Sequence, residues 1–257
     1  MELTVAGAPL VSYVLASVRL LAWLMIVPPY ASRSFPTQAK VLLALALAFA
    51  VVPASALADV PTDALGLAVQ VAQEVLVGAS LGFVTYLVFA AVQAAGDLID
   101  VFGGFSLASA YDPLSFQMNS VFGRFYQMLA TAILFTTGLH LWVMAGLLTT
   151  FQRLPVGMGI EIGDLSQVML AAFGVFITCA VQIALPLMGV LFLADLGLAL
   201  LTKVAPMLNA IGIMFPAKIG LTLIVVGMSF TVLPEALMNL KDIAIEAMGA
   251  LTRGGGG

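Results

Sequence analysis

The chain has 257 residues, of which 62% are hydrophobic and 9% charged, with a formal net charge of −4. A water-soluble domain carries roughly 25% charged residues, so this one cannot cover its own core with polar surface and belongs with membrane proteins. The acidic balance argues against nucleic acid as a partner, and a single cysteine, Cys179, excludes an internal disulfide and any CxxC metal or redox site.

Taking roughly 20 residues for one bilayer crossing, the apolar segments in chain order are 9–29, 41–58, 64–96, 125–150, 165–201 and 219–234. An all-α polytopic membrane protein of about six helices follows. The N-terminal segment lacks the basic start of a cleaved signal and reads as a retained anchor. The final glycines, 254–257, read as a linker scar outside a single domain of 1–253. Connections rich in Pro, Gly, Asn and Asp separate the segments: PPYASRSFPTQ, VPASALADVPTD, QRLPVGMGIEIGD and KVAPMLNAIGIMFPAK. Segments 64–96 and 165–201 exceed one crossing, the latter with Pro186 inside it, and are expected to be kinked, steeply tilted or broken into hairpins. Pro28, Pro29, Pro155, Pro186, Pro206 and Pro216 are the expected points where helices bend or stop. The basic residues do not decide topology: Arg33, Lys40, Lys203 and Lys218 fit one side, whereas Lys241 and Arg253 do not.

Charges within the apolar segments need partners. Arg19, in SVRLLAW, and Glu74, in VAQEVLVGASLGF, are both expected to be buried, with Gln70 one helical turn before Glu74. Gln93, Asp97 and Asp100 follow helical spacing and form a polar stripe running into Gly103 and Gly104. Asp195 and Lys203 complete the set, but eight helical residues hold them about 12 Å apart, too far to pair with each other. These groups either make structural contacts or line an ion path, and their scatter over several segments favours structural contacts.

Enzymatic motifs are absent or out of context. GASLG, from Gly78 to Gly82, matches the G-x-S-x-G elbow around Ser80, with Asp97 and His140 downstream. It sits inside an uncharged apolar run, where Gly78 and Gly82 instead suit close helix packing. His140 has no second ligand at metal spacing. Tyr111-Asp112-Pro113 matches half of an intramembrane aspartyl protease dyad, but no GxGD supplies the other half. With no P-loop, GxGxxG or HExxH, no nucleotide, cofactor or metal is implied and no catalytic residue is assigned. The 13 methionines are spread along the chain as packing residues.

The runs PPYASRSFPTQAKVLLALALA, QEVLVGASLGF, AAVQAAGDLIDVFGGFSLASAYDP, TGLHLWVMAGLLTTFQRLPVG and ALPLMGVLFLADLGLALLTKVAPMLNAIGIMFP together resemble the FliR family of flagellar export proteins, known as SctT in virulence secretion systems. The resemblance runs in order over nearly the whole chain. It implies a non-enzymatic subunit of the type III export gate in the bacterial inner membrane, at the flagellar basal body. The implied partners are FliP-like and FliQ-like subunits, FlhB, membrane lipid and, transiently, exported flagellar proteins. The implied architecture is a FliP/FliQ-like fusion, FliP-like over about 1–165 and FliQ-like over about 166–250. It also implies a pore plug at GGFSLASAYDP. The composition suits a plug, because Gly103 and Gly104 let the chain leave a helix, Asp112 and Pro113 favour a turn, Phe105, Leu107, Tyr111 and Phe116 add apolar bulk, and Ser106 keeps the segment out of lipid. The rival expectation is a small-solute secondary transporter that uses Glu74, Asp97 and Asp195 as coupling sites.

Overall fold

The computed structural model describes residues 2–28, 30–32, 35–51, 64–105, 120–158, 162–204 and 210–252. Among these the chain is helical, without strands: α1 (Glu2–Ile26), α2 (Thr37–Val51), α3 (Ala64–Gly103), α4 (Val121–Thr136), α5 (Leu139–Arg153), α6 (Ile162–Val204), α7 (Ala210–Ser229) and α8 (Leu233–Leu251). Three helices are long and apolar enough to cross a membrane, or up to five spans if each pair joined at a short break counts as one. With the shorter apolar α2, this matches the all-α polytopic expectation.

Several boundaries differ from the sequence reading. α3 and α6 are continuous over 40 and 43 residues, so neither long segment is split into a hairpin. α6 continues through Pro186 and α7 through Pro216, whereas α1 and α5 end just before Pro28 and Pro155. Proline is tolerated inside apolar helices because side-chain hydroxyls and neighbouring helices can satisfy the freed carbonyl. Segment 125–150 is two helices, separated at Thr137 and Gly138, where Gly138 takes a left-handed φ of 73°. The connection expected before Lys218 is helical from Ala210 onward, and α7 ends at Ser229. α8, bent by 61° from α7, was not anticipated, because its acidic and polar residues, Glu235, Asn239, Asp242 and Glu246, lower its apolarity.

The chain forms two compact units, each drawn from separate stretches: Met1–Val88, Gly138–Gly174 and Lys241–Gly257 in the first, Phe89–Thr137 and Val175–Leu240 in the second. In the first unit, Leu20, Trp23 and Leu24 of α1 are buried together with Val77 and Leu81 of α3, Leu147 and Phe151 of α5, and Met248 of α8. The Tyr13 hydroxyl donates to the Leu45 carbonyl at 2.9 Å, and Tyr30 stacks obliquely on Trp23 and edge-on to Phe35, which fastens α1 to α2 and the connection between them. Lys40, one of the basic residues weighed above for topology, is 5% exposed. In the second unit, Ala91, Val92, Ala95 and Ile99 of α3 are buried with Phe122, Tyr126 and Leu134 of α4, Leu191 of α6, Val226 of α7 and Leu237 of α8. There Gly96 lets α3 approach the backbone of Phe122 and Gly123 so closely that an added Cβ would overlap them.

Candidate functional site

Two polar clusters, one in each unit, gather most of the charged residues singled out in the sequence. In the first unit Arg19 and Glu74, fifty-five positions apart, meet in a two-pronged ion pair: Nε to Oε2 at 2.5 Å and Nη2 to Oε1 at 3.0 Å. Both side chains are fully buried. Two more guanidinium donors go to backbone carbonyls beyond α5, Leu154 at 2.7 Å and Pro155 at 3.3 Å, and the Gly157 N–H donates to Glu74 Oε1 at 2.8 Å. The guanidinium lies over the Phe151 ring at 4.4 Å.

A buried pair is tolerable only when its spare donors and lone pairs find partners, and here backbone groups take two of the donors and supply one N–H to the carboxylate. Gly157, at φ +88°, makes the turn that aims those groups. Gly78 is where α3 meets α1; a Cβ there would run into the Arg19 carbonyl and come within 2.9 Å of the Ala22 Cβ. Gly82 lies one turn on, against Ile26 and Trp23. Ser80 donates to the Leu76 carbonyl within the helix at 2.7 Å, as an ordinary helical serine does.

In the second unit the polar stripe on α3 leads to its end. Asp100, 4% exposed, accepts from the Ser120 hydroxyl and from the Phe122 N–H at 3.2 and 3.1 Å. Ser120 is the N-cap of α4 and accepts from the Gly123 N–H at 2.8 Å. Asp97 lies against Gly123, where any side chain would collide with its carboxylate. Its Oδ1 has no hydrogen-bond partner among the described residues. α3 ends at Gly103, packed on Thr222, and Gly104 adopts φ +83° beside the methylenes of Lys218.

Lys218 pairs with Asp195 at 2.8 Å, with side-chain exposures of 16% and 36%. Asp195 thus finds its cation on α7, while Lys203, at the end of α6, is exposed. The plug positions Gly103, Gly104 and Phe105 lie at the foot of α3, whereas Ser106, Leu107, Tyr111, Asp112, Pro113 and Phe116 fall outside the described residues. Phe105 turns back edge-on to Phe122, at 4.9 Å and 76°.

Sequence reasoning missed the partners more than the participants. The backbone groups at Leu154, Pro155 and Gly157 leave no trace in residue type. Ser120 did leave a signal, as a serine immediately before an apolar helix. Lys218, a cation within an apolar stretch, called for an acidic partner in the same way that Arg19 did.

A model of the bacterial export proteins, family 1, matches residues 10–242. The chain belongs to this family. Its relatives include flagellar biosynthetic proteins FliR from Escherichia coli K12, 39% identical over 54% of this chain and 53% of that protein, from Aquifex aeolicus, 32% identical over 70% of this chain and 69% of that protein, and from Bacillus subtilis, 27% identical over 72% of each. The match to the E. coli protein thus spans about half of that relative's length. The FliR relatives agree with the family named on the sequence motifs, and the matched region takes in Arg19, Glu74, Asp100, Asp195 and Lys218.

Proposed function

We propose that this chain is a structural and gating subunit of a bacterial flagellar type III protein export channel in the inner membrane, working with FliP-like and FliQ-like subunits and in contact with FlhB. In this reading it is not an enzyme. It contributes helices around a conduit for unfolded flagellar proteins, its 1–165 part FliP-like and its 166–250 part FliQ-like. The chain between Gly104 and Ser120 closes the conduit until a substrate arrives.

Membership of the export family over residues 10–242 and the flagellar names of the relatives support the export assignment. The observation that carries the subunit reading is the surface of α6. This helix is as apolar as α3, yet only 22% of its apolar 18-residue stretch is buried, against 61% for that of α3. Leu170, Phe173, Leu185, Phe192, Leu193 and Leu200 stand exposed along it. Lipid can cover such a face, but an apolar helix of 40 residues exceeds one bilayer crossing of roughly 20, and apolar helices of a partner are the natural cover for the excess. Gly189 and Gly197 on α6 have nothing within 4 Å of where a side chain would begin, leaving room for a close-packed foreign helix.

The solute-transporter alternative has lost support from two of its three candidate residues. Glu74 is locked to Arg19 and the Gly157 N–H, and Asp195 to Lys218. A coupling carboxylate must bind and release its ion, and one already engaged by a lysine or arginine is poorly suited to that. Mass measurement of the intact assembly purified through this chain tests the proposal. Several copies of smaller membrane subunits are expected to accompany it, and a solitary chain that moves a small solute in empty liposomes would overturn the reading.

A further inference from the structure

We propose that the seam between α5 and the later half of α8 lies in the headgroup layer of the bilayer, with Trp142 as its anchor and a zwitterionic phospholipid as its occupant. This placement needs only that the chain is embedded in a membrane, and it stands apart from any role in gating.

Gly146 lets the two helices pack, since a Cβ there would come within 2.9 Å of Ile245 and 3.2 Å of Met248. One turn earlier on α5, the Lys241 ammonium lies over the Trp142 ring at 5.6 Å and pairs with Asp242 at 2.6 Å. Trp142 is 63% exposed and Leu141 stands exposed beside it. The Asp242 side chain is 68% exposed, whereas that of Lys241 is mostly covered. The lysine stem is thus sheltered, and its charged end reaches the indole face and the open carboxylate.

The exposed surface changes character at this point. Leu141 and Trp142 stand on the α5 side; Asp242 and Glu246 stand on the α8 side, and Glu235 and Asn239 are exposed earlier on the same helix. Open carboxylates do not belong in hydrocarbon. An indole has an apolar body and a polar N–H, and it collects where one end is apolar and the other wet. Only the boundary between the two media suits both. α5 shows the same change along its length: beyond Ala145 its exposed residues are Thr149, Gln152 and Arg153, and Arg153 is about 16 Å along the axis from Trp142.

Charge selects the headgroup. The seam offers the ammonium of Lys241 and the carboxylates of Asp242 and Glu246, and Arg153 lies beyond a Debye length of about 8 Å. An anionic lipid therefore meets more repulsion than attraction. A zwitterionic headgroup can turn its phosphate to Lys241 and its ammonium to Asp242 or Glu246, with its acyl chains against Leu141 and Trp142.

The test is depth-resolved quenching of Trp142 in the full chain reconstituted into phosphatidylcholine vesicles. The chain has two tryptophans and Trp23 is fully buried, so the emission lost in Trp142→Phe belongs to Trp142. Phosphatidylcholine with a nitroxide at acyl carbon 5 should quench that emission at least about twofold more than the same lipid labelled at carbon 16. Stronger quenching by the deep label puts Trp142 within the hydrocarbon, and quenching by aqueous iodide alone puts it in water; either overturns the proposal. Emission that none of the three quenches means that protein covers the indole, which overturns it as well.

The α8 side is checked in a Cys179→Ala background with a membrane-impermeant maleimide on both sides of the bilayer. Glu246→Cys should react at least about tenfold faster than Leu141→Cys, and equal rates overturn the boundary. Replacing half of the phosphatidylcholine with phosphatidylglycerol should leave quenching by the carbon-5 label unchanged or lower. An increase would assign the seam to anionic lipid and overturn the choice of headgroup.

Discussion

α3 and α6 are near twins in length and apolarity, and they have opposite fates. α3 is largely enclosed, with 61% of its apolar 18-residue stretch buried, whereas the corresponding stretch of α6 lies mostly open at 22%. The difference lies in what sits between the apolar residues. α3 carries Gly78, Gly82 and Gly96, each pressed against another backbone, and it carries Glu74 and Asp100, each locked into hydrogen bonds from other elements. α6 carries Gly189 and Gly197, where an added Cβ would find nothing within 4 Å, and its Asp195 side chain is more than one-third exposed. Burial of an apolar helix among apolar surroundings is decided by close fit and by polar ties, because lipid is as good a solvent for leucine as protein is.

The sharpest way to break this contrast is to remove one partner of the ion pair that anchors α3. Arg19→Ala leaves Glu74 buried and uncompensated and should cost about 3–5 kcal/mol, seen as loss of folded chain in denaturant titrations of the solubilised protein. Arg19→Met combined with Glu74→Met should recover most of that loss, since apolar residues of similar size need no pairing. A single Arg19→Ala variant with unchanged stability would mean that the buried pair does not anchor α3.

Next in size is the leucine contrast. Leu81→Ala on α3, at 0% exposure, leaves a cavity and should cost about 2 kcal/mol, near the low end of the usual range because lipid already solvates the side chain in the unfolded reference. Leu193→Ala on α6, at 67% exposure, should leave the solubilised chain unchanged. It should reduce the amount of intact complex recovered if a partner helix seats there, and equal recovery would assign that face of α6 to lipid.

The glycines offer a finer cut. Gly78→Ala forces α1 and α3 apart and should destabilise the chain by about 1–3 kcal/mol. Gly189→Ala on α6 should be neutral in the chain alone, or slightly stabilising through better helix propensity, by less than about 1 kcal/mol. Thermal unfolding of the two variants in detergent compares them directly. The smallest effect is expected at the half-exposed pair: Asp195→Asn should cost no more than about 1 kcal/mol and lose its effect at high salt.

Much of this architecture was legible in the residues. The apolar segments, the exit from α3 at Gly103 and Gly104, and the need of Arg19 and Glu74 for partners could all be read from residue type and spacing. Segment 125–150 misled because Thr137 and Gly138 are too weak a break to register against the apolar residues on both sides. α8 was missed because an amphipathic helix with five polar positions, Lys241 among them, does not look like a crossing. Asp195 was tested against Lys203 because they share a helix, while its partner waited on the next one, twenty-three positions away.

By itself, then, the amino-acid order determined that the chain lives in a membrane, that it is helical, where the main apolar segments lie, and which side chains could not be left alone. Only the tertiary structure decided that Arg19 meets Glu74, that Asp100 receives Ser120 and Phe122, and that α3 rather than α6 is enclosed. The physical reason is that hydropathy measures the escape of a residue from water, and every apolar helix here has already escaped. What remains is a choice between lipid and protein, made by contacts a fraction of an ångström wide and by hydrogen bonds between residues far apart in the chain.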